Sequence, residues 1–313
     1  MSTVEDSWRP FVVEPEGEGE AGRDAIRALV ADTGRVDELL DRHGALVVRG
    51  LDIGSADRDP LLARVLPRRL DYVQGNSPRS KVQPGTYTST EYPAEFTISM
   101  HNELSYAESW PARLAFHCVR APASGGATMV ADGADWLGRV PPDVRAAFAG
   151  GVRYLQNLHD GSGFGRSWQD TFETGDRHRV DAVLRGAAAE WEWRADGTLR
   201  ISRLRPATRI HPRSGREVWF NQADQWHVSA LDPETAEALL ELFGEDGLPQ
   251  NATFADGSSI PAKHVSAVRE AGLAAAVDVE WHAGDLLVLD NVAVAHGRRP
   301  FTGPRRVLVA MSA

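Results

Sequence analysis

Cysteine is almost absent: Cys118 stands alone among 313 residues. No intramolecular disulfide can form, so a reducing cytoplasm is the expected compartment. Long apolar runs are missing too. No stretch approaches the ~20 residues that cross a bilayer, and the first residues, MSTVEDSWRP, are polar and acidic rather than signal-like. Membrane insertion is therefore not expected. Basic side chains are outnumbered, 34 against 44 acidic ones, for a net charge of −10. That disfavours nucleic acid as a partner, because phosphate binding needs a basic surface. Glycine-rich phosphate loops are lacking, and strands do not alternate with helices as in a parallel βαβ sheet. There is no internal repeat.

Hydrophobic residues make up 42% and charged residues 25% of the chain, the proportions of a folded protein with a sizeable core. Residues 24–44 carry Ile26, Leu29, Val30, Val36, Leu39 and Leu40 at helical spacing, and Gly44 can stop that helix. ALVVRG then reads as a short buried strand. Further strands are expected in RLAFHCVRA, GGATMVADG, GDLLVLDNVAVAHGRRPF and RRVLVAMS. RIHPRSGREVWFNQ reads as a hairpin turning at Arg213, Ser214 and Gly215, and EWEWRADG as another with Asp-Gly at its tip. Residues 79–98, rich in Pro, Gly, Ser and Thr, read as a loop. The expected fold is mainly β with surrounding helices, an antiparallel jelly roll. It forms one domain with a core of about 45–313 and a mixed insertion of about 133–205.

HNELSY, residues 101–106, sets an imidazole and a carboxylate two residues apart, at His101 and Glu103. In a strand such residues share a face and reach one point. His296 ends an apolar strand far downstream, where its ring can project into a barrel mouth. Two imidazoles and one carboxylate on one face of an octahedron suit Fe(II) and leave three positions for co-substrate and O2. His43, His117 and His211 read instead as packing or surface residues. Arg305 and Arg306 follow His296 by nine and ten residues and fall on opposite faces of the last strand. One of them can point inward, where a guanidinium clamps a carboxylate in two-pronged fashion.

These residues, with TYTSTEYPAEFTISMHNELSY, WPARLAFHCVRAPASGGATMVAD, VWFNQADQWH and WHAGDLLVLDNVAVAHGRRPFTGPRRVLVAMS, resemble the TauD/TfdA-type Fe(II)/2-oxoglutarate-dependent dioxygenases. The likeness is closest to the branch of syringomycin-biosynthesis and clavaminate-synthase-like enzymes, and runs from about residue 73 to the C-terminus. It implies a double-stranded β-helix (jelly-roll) core. It implies His101, Glu103 and His296 as metal ligands and catalytic centre, with Fe(II), 2-oxoglutarate and O2 as cofactor and co-substrates. It implies Thr128 and Arg306 as contacts to 2-oxoglutarate. A glutamate in the triad argues against the halogenases of this superfamily, where a small residue opens a chloride site. Ala310 stands where the taurine enzyme carries an arginine for the sulfonate, which argues against taurine.

The implied reaction is hydroxylation of an unactivated C–H bond, with release of succinate and CO2. The implied substrate is a small molecule: an amino acid or amino-acid-derived intermediate of secondary metabolism, free or tethered to a peptidyl carrier protein. Desaturation, epoxidation and ring closure are alternative outcomes. Arg79 and Thr90 with Glu91 in the loop, Asn221 on a strand expected to line the barrel, and Arg298 beside the distal histidine are the candidate substrate contacts. Two other classes compete. A cupin-like metabolite-binding module without catalysis would be free to lose Thr128 or the arginine. A zinc hydrolase on the same triad leaves both unexplained.

Overall fold

The computed structural model describes residues 8–16, 20–51, 55–70, 81–83, 85–89 and 92–313. The stretch read as one helix is two, Glu20–Ala31 and Thr33–His43. Asp32 makes the break. Its backbone is extended and its carboxylate accepts the Arg35 N–H, so it caps the second helix instead of continuing the first. Gly44 ends that helix at φ 74°, its N–H donating to Leu40 O at 2.8 Å. A Cβ at Gly44 would also lie 2.8 Å from the Val294 side chain, so turn and packing both require glycine.

Ala45–Val48 follows at once and is buried throughout. It lies between Phe11–Val13, which is parallel to it, and Leu286–Asp290, which is antiparallel. The seven-stranded sheet continues through Arg113–Arg120, Arg306–Ser312 and Thr86–Thr88 to Lys81–Gln83. A four-stranded antiparallel sheet holds Val277–Val279, Thr128–Asp132, Val294–Arg298 and Ile98–His101 in that order.

Alternation along the strands joins these two sheets. Val307, Val309 and Met311 pack with Leu114, Phe116 and Cys118 of the large sheet and with Val130 and Val294 of the small one. The intervening Ala310, with Ala115, Leu286 and Val288, faces the other way, onto Val36, Leu39 and Leu40 of the second helix. Burial of one aliphatic side chain is worth about 1.5–3 kcal/mol, so both faces of the large sheet contribute. That is why LLVLD and VLVAM are continuous apolar runs rather than alternating ones.

Residues 133–205 supply four helices and three strands. Glu190–Trp193, Leu199–Arg205 and Val152–Leu158 form a further sheet, completed by Gln250–Phe254 from outside that segment. Both expected hairpins form: Thr208–Ile210 pairs with Glu217–Trp219, and Glu190–Trp193 pairs with Leu199–Arg205 around Gly197. Among the described residues, no helix is long and apolar enough to cross a membrane.

Candidate metal and co-substrate centre

His101 and His296 stand directly opposite each other on adjacent antiparallel strands. Their ring centroids are 4.3 Å apart. Glu103 joins them: one ligand atom from each of the three residues lies within 4.8 Å of the others, and all three are buried. Glu103 Oε2 is 3.9 Å from His296 Nε2. Phe116 closes one side, its ring 5.2 Å from that of His296.

Glu103 does not share a strand with His101. The strand Ile98–His101 stops at the histidine, and Glu103 lies in the turn that follows, next to Leu104 at φ 56°. What aims the carboxylate is Asn291. Its carboxamide oxygen accepts the Glu103 N–H at 2.8 Å, and its amide donates to Glu103 O at 3.0 Å and Pro111 O at 2.8 Å. The Asn102 amide donates to Asn291 O at 2.7 Å. Four hydrogen bonds on a fully buried side chain and its backbone thus fix the turn. Asp290, beside it, caps the Val292 and Ala293 N–H groups.

His101 Nδ1 lies 2.9 Å from Ser99 O. Donation to that carbonyl puts the proton on Nδ1 and leaves Nε2 as the metal-facing lone pair. Gln225 donates to the same carbonyl at 3.0 Å. Next to His296, Gly297 lets the strands close: a Cβ there would fall 2.6 Å from Ile98 O and 2.8 Å from Met129. Two imidazoles and a carboxylate converging in a buried site fit an open-sided divalent iron centre.

A cleft beside the triad is lined by Ser89, Thr128, Arg298 and Arg305 as well as by the two histidines. Thr128 Oγ1 accepts the Trp281 Nε1–H at 3.0 Å, which leaves the hydroxyl proton to donate elsewhere. The arginine facing this cleft is Arg305, not Arg306. Val307, Val309 and Met311 point inward, so by alternation Arg305 does too, while Arg306 is exposed. Pairing with Arg113–Arg120 shifts register between Arg306 and Val307. Arg305 donates to Gly126 O and Ser89 Oγ, both at 3.2 Å. Burial, then the neighbouring Arg298 charge, pulls its pKa down to about 10, so it stays a cation at neutrality. Ala310 faces away from the cleft, and its neighbour Val309 faces inward. No arginine occupies either position.

The substrate candidates divide. Arg79, Thr90 and Glu91 lie outside the described residues. Asn221 does not face the cleft: its amide donates to Ala207 O at 2.8 Å and its oxygen accepts the Ala223 N–H at 3.0 Å, which locks a buried turn. Arg298 lines the cleft, but its guanidinium donates to Tyr92 O, Pro93 O and Phe96 O at 2.7–3.0 Å and so braces the loop before Ile98. Reading the sequence missed Trp281, although WHAGD placed it 15 residues before His296, and set Arg305 aside for its neighbour.

The family profile described as taurine catabolism dioxygenase TauD, TfdA family matches residues 13–311. The dapdiamide synthesis protein DdaC of Enterobacter agglomerans is 38% identical over 278 residues, covering 88% of this chain and 84% of that protein. A clavaminate synthase-like protein of Arabidopsis thaliana is 30% identical over 290 residues, covering 88% and 83%. In fold, the chain is similar to PvcB of Pseudomonas aeruginosa, an Fe, α-ketoglutarate-dependent oxygenase from an isonitrile synthetic pathway, with a TM-score of 0.51 at 14% identity over 90% of this chain and 79% of that one. The chain belongs to the TauD/TfdA family, in the branch that holds the clavaminate-synthase-like and biosynthetic members, and is a non-haem Fe(II)/2-oxoglutarate-dependent dioxygenase.

Proposed function

We propose that this enzyme hydroxylates an unactivated C–H bond of an amino acid or amino-acid-derived intermediate of secondary metabolism, free or carrier-tethered, in the cytoplasm. The observation that carries the reading is the set of groups around one cleft: two imidazoles at its wall with a carboxylate against them, and a hydroxyl donor and a half-buried guanidinium beside them. The 38% identity to a protein named for dapdiamide synthesis supports a biosynthetic substrate. The two facing sheets support a double-stranded β-helix in a single domain.

His101, Glu103 and His296 would hold Fe(II). The bound iron supplies the oxidising chemistry when 2-oxoglutarate and O2 are present, with succinate and CO2 as co-products. The chain's own residues position and shield. Arg305 takes the distal carboxylate of 2-oxoglutarate as a charge-assisted pair, and the Thr128 hydroxyl donates to the same co-substrate. Trp281 orients that hydroxyl by occupying one of its lone pairs. Phe116 and Ile98 keep the cleft apolar around the reacting atoms.

The test is succinate formation under air with Fe(II) and 2-oxoglutarate, against a panel of free amino acids and the same amino acids as carrier thioesters, with product masses read in parallel. Succinate should rise with one member, whose mass increases by one oxygen, and His296→Ala should abolish both. A loss of two hydrogens would replace hydroxylation by desaturation or ring closure. Silence across the panel, with iron and 2-oxoglutarate still bound, would sink the amino-acid reading.

A further inference from the structure

The strand Leu199–Arg205 turns Leu199, Ile201, Arg203 and Arg205 to its buried face. An apolar face thus becomes cationic toward its end, and the two arginines are treated differently by the fold. Arg205 is engaged: it donates to Ala107 O, Leu204 O and Ala187 O and pairs with Glu108 at 3.2 Å. Arg203 is only 6% exposed, yet its guanidinium makes one long hydrogen bond, to Gln156 Oε1 at 3.3 Å. Among the described residues no carboxylate pairs with it. Burial draws its pKa down to about 10, so the charge persists at neutrality. A buried, unpaired cation is costly to a fold, and such groups gather at functional sites.

Arg203 lines a cavity of about 550 Å³ together with Leu104, Tyr106, Trp110 and Met311. Leu104 follows the ligand Glu103 directly. Met311 locates the cavity along the barrel. Val309 pairs with Phe116, whose ring lies against His296, and Met311 pairs with Leu114. Met311 is therefore two residues, about 7 Å, beyond the layer of His296, and Arg305 lies on that layer's other side. Along the last strand, the layer of His296 thus falls between Arg305 and this cavity. Tyr106, tilted against Tyr154 and Trp226, gives the cavity an aromatic wall.

We propose that Arg203 anchors the substrate through a carboxylate, so that the enzyme acts on a molecule that keeps a free carboxylate when bound, lying in this cavity with its reacting carbon toward the triad. This rests on the oxygenase reading above. The cavity is wide enough for an amino-acid-sized molecule, and the fork of a guanidinium matches the two oxygens of a carboxylate.

The experiment uses formate as probe and formamide as its neutral counterpart, with chloride holding ionic strength constant. Thermal unfolding is followed for the wild type, Arg203→Met and Arg203→Lys, each with and without Mn(II) and saturating 2-oxoglutarate. Formate should raise the midpoint of the wild type and formamide should not. Arg203→Met should bind formate at least tenfold more weakly, and Arg203→Lys should fall between. An equal response to formamide, or an equal formate response in Arg203→Met, would overturn the proposal. So would a ligand-free Arg203→Met that no longer folds, with Arg203→Lys answering formate no better than chloride. A wild type that fails to bind 2-oxoglutarate would count against the co-substrate site instead, and the metal-free arm would still decide on Arg203.

Discussion

Arg305 and Arg306 are neighbours at the head of the last strand, yet only Arg305 lines the cleft beside the triad. Spacing from His296 cannot separate them, because alternation guarantees one inward arginine without saying which. What separates them is the cleft itself: Arg305 lines it and donates to Gly126 O and Ser89 Oγ, while Arg306 is exposed. We expect Arg305→Met to weaken 2-oxoglutarate binding to the Mn(II)-loaded protein by about 30-fold or more, the ~2 kcal/mol of a buried charge left unpaired. Arg306→Met should change it less than about twofold; equal losses in both variants would contradict the assignment. Asn291 is a second case. It lies close to His296 in the chain, yet it holds Glu103 in place through the backbone. Asn291→Leu keeps the branched shape but removes three hydrogen bonds. Iron affinity should fall about 10- to 100-fold, measured by competition with a chelator, while an unchanged affinity would refute the positioning role.

Elements were legible where local chemistry suffices. The hairpin around Gly215 and the strand after Gly44 were read correctly, since turn residues and apolar runs declare themselves. The long first helix was misread because Asp32 looks like one polar residue on an amphipathic face until its side chain is seen capping Arg35. A turn, not a shared strand as their spacing suggests, brings His101 and Glu103 together. The strand Arg113–Arg120 carries its own test. His117 is buried on it, and neither ring nitrogen has a hydrogen-bond partner among the described residues. Burial, then the Arg58 charge, lowers its pKa from 6.5 to about 4. The folded state thus binds fewer protons than the unfolded one between these values. Its contribution is fully present above pH 6.5 and is lost as pH falls through 4, amounting to about 3 kcal/mol. In urea unfolding from pH 7 to 4, His117→Leu should lose less stability than the wild type. Parallel curves would show that His117 does not titrate in this window.

At the scale of the whole molecule, the centre is assembled from segments far apart in the chain: Ile98–His101 and its turn, Thr128–Asp132, Val294–Arg298, and the head of the last strand. The convergence of His101, Glu103 and His296 was legible because these residue types carry distinctive chemistry. The proposed substrate side was not, because Arg203 comes from a segment far along the chain whose packing beside residues 106–108 no local pattern announces. The centre should therefore behave as one unit, with co-substrate binding dependent on metal binding. The most direct measurement is anaerobic equilibrium dialysis of Fe(II), followed by calorimetric titration with 2-oxoglutarate, on the wild type, His296→Ala and Glu103→Ala. One Fe(II) and one 2-oxoglutarate per chain are expected for the wild type, the second only after the first, with both lost in either variant. Iron held equally well by His296→Ala, or 2-oxoglutarate bound without metal, would contradict a centre built on His101, Glu103 and His296.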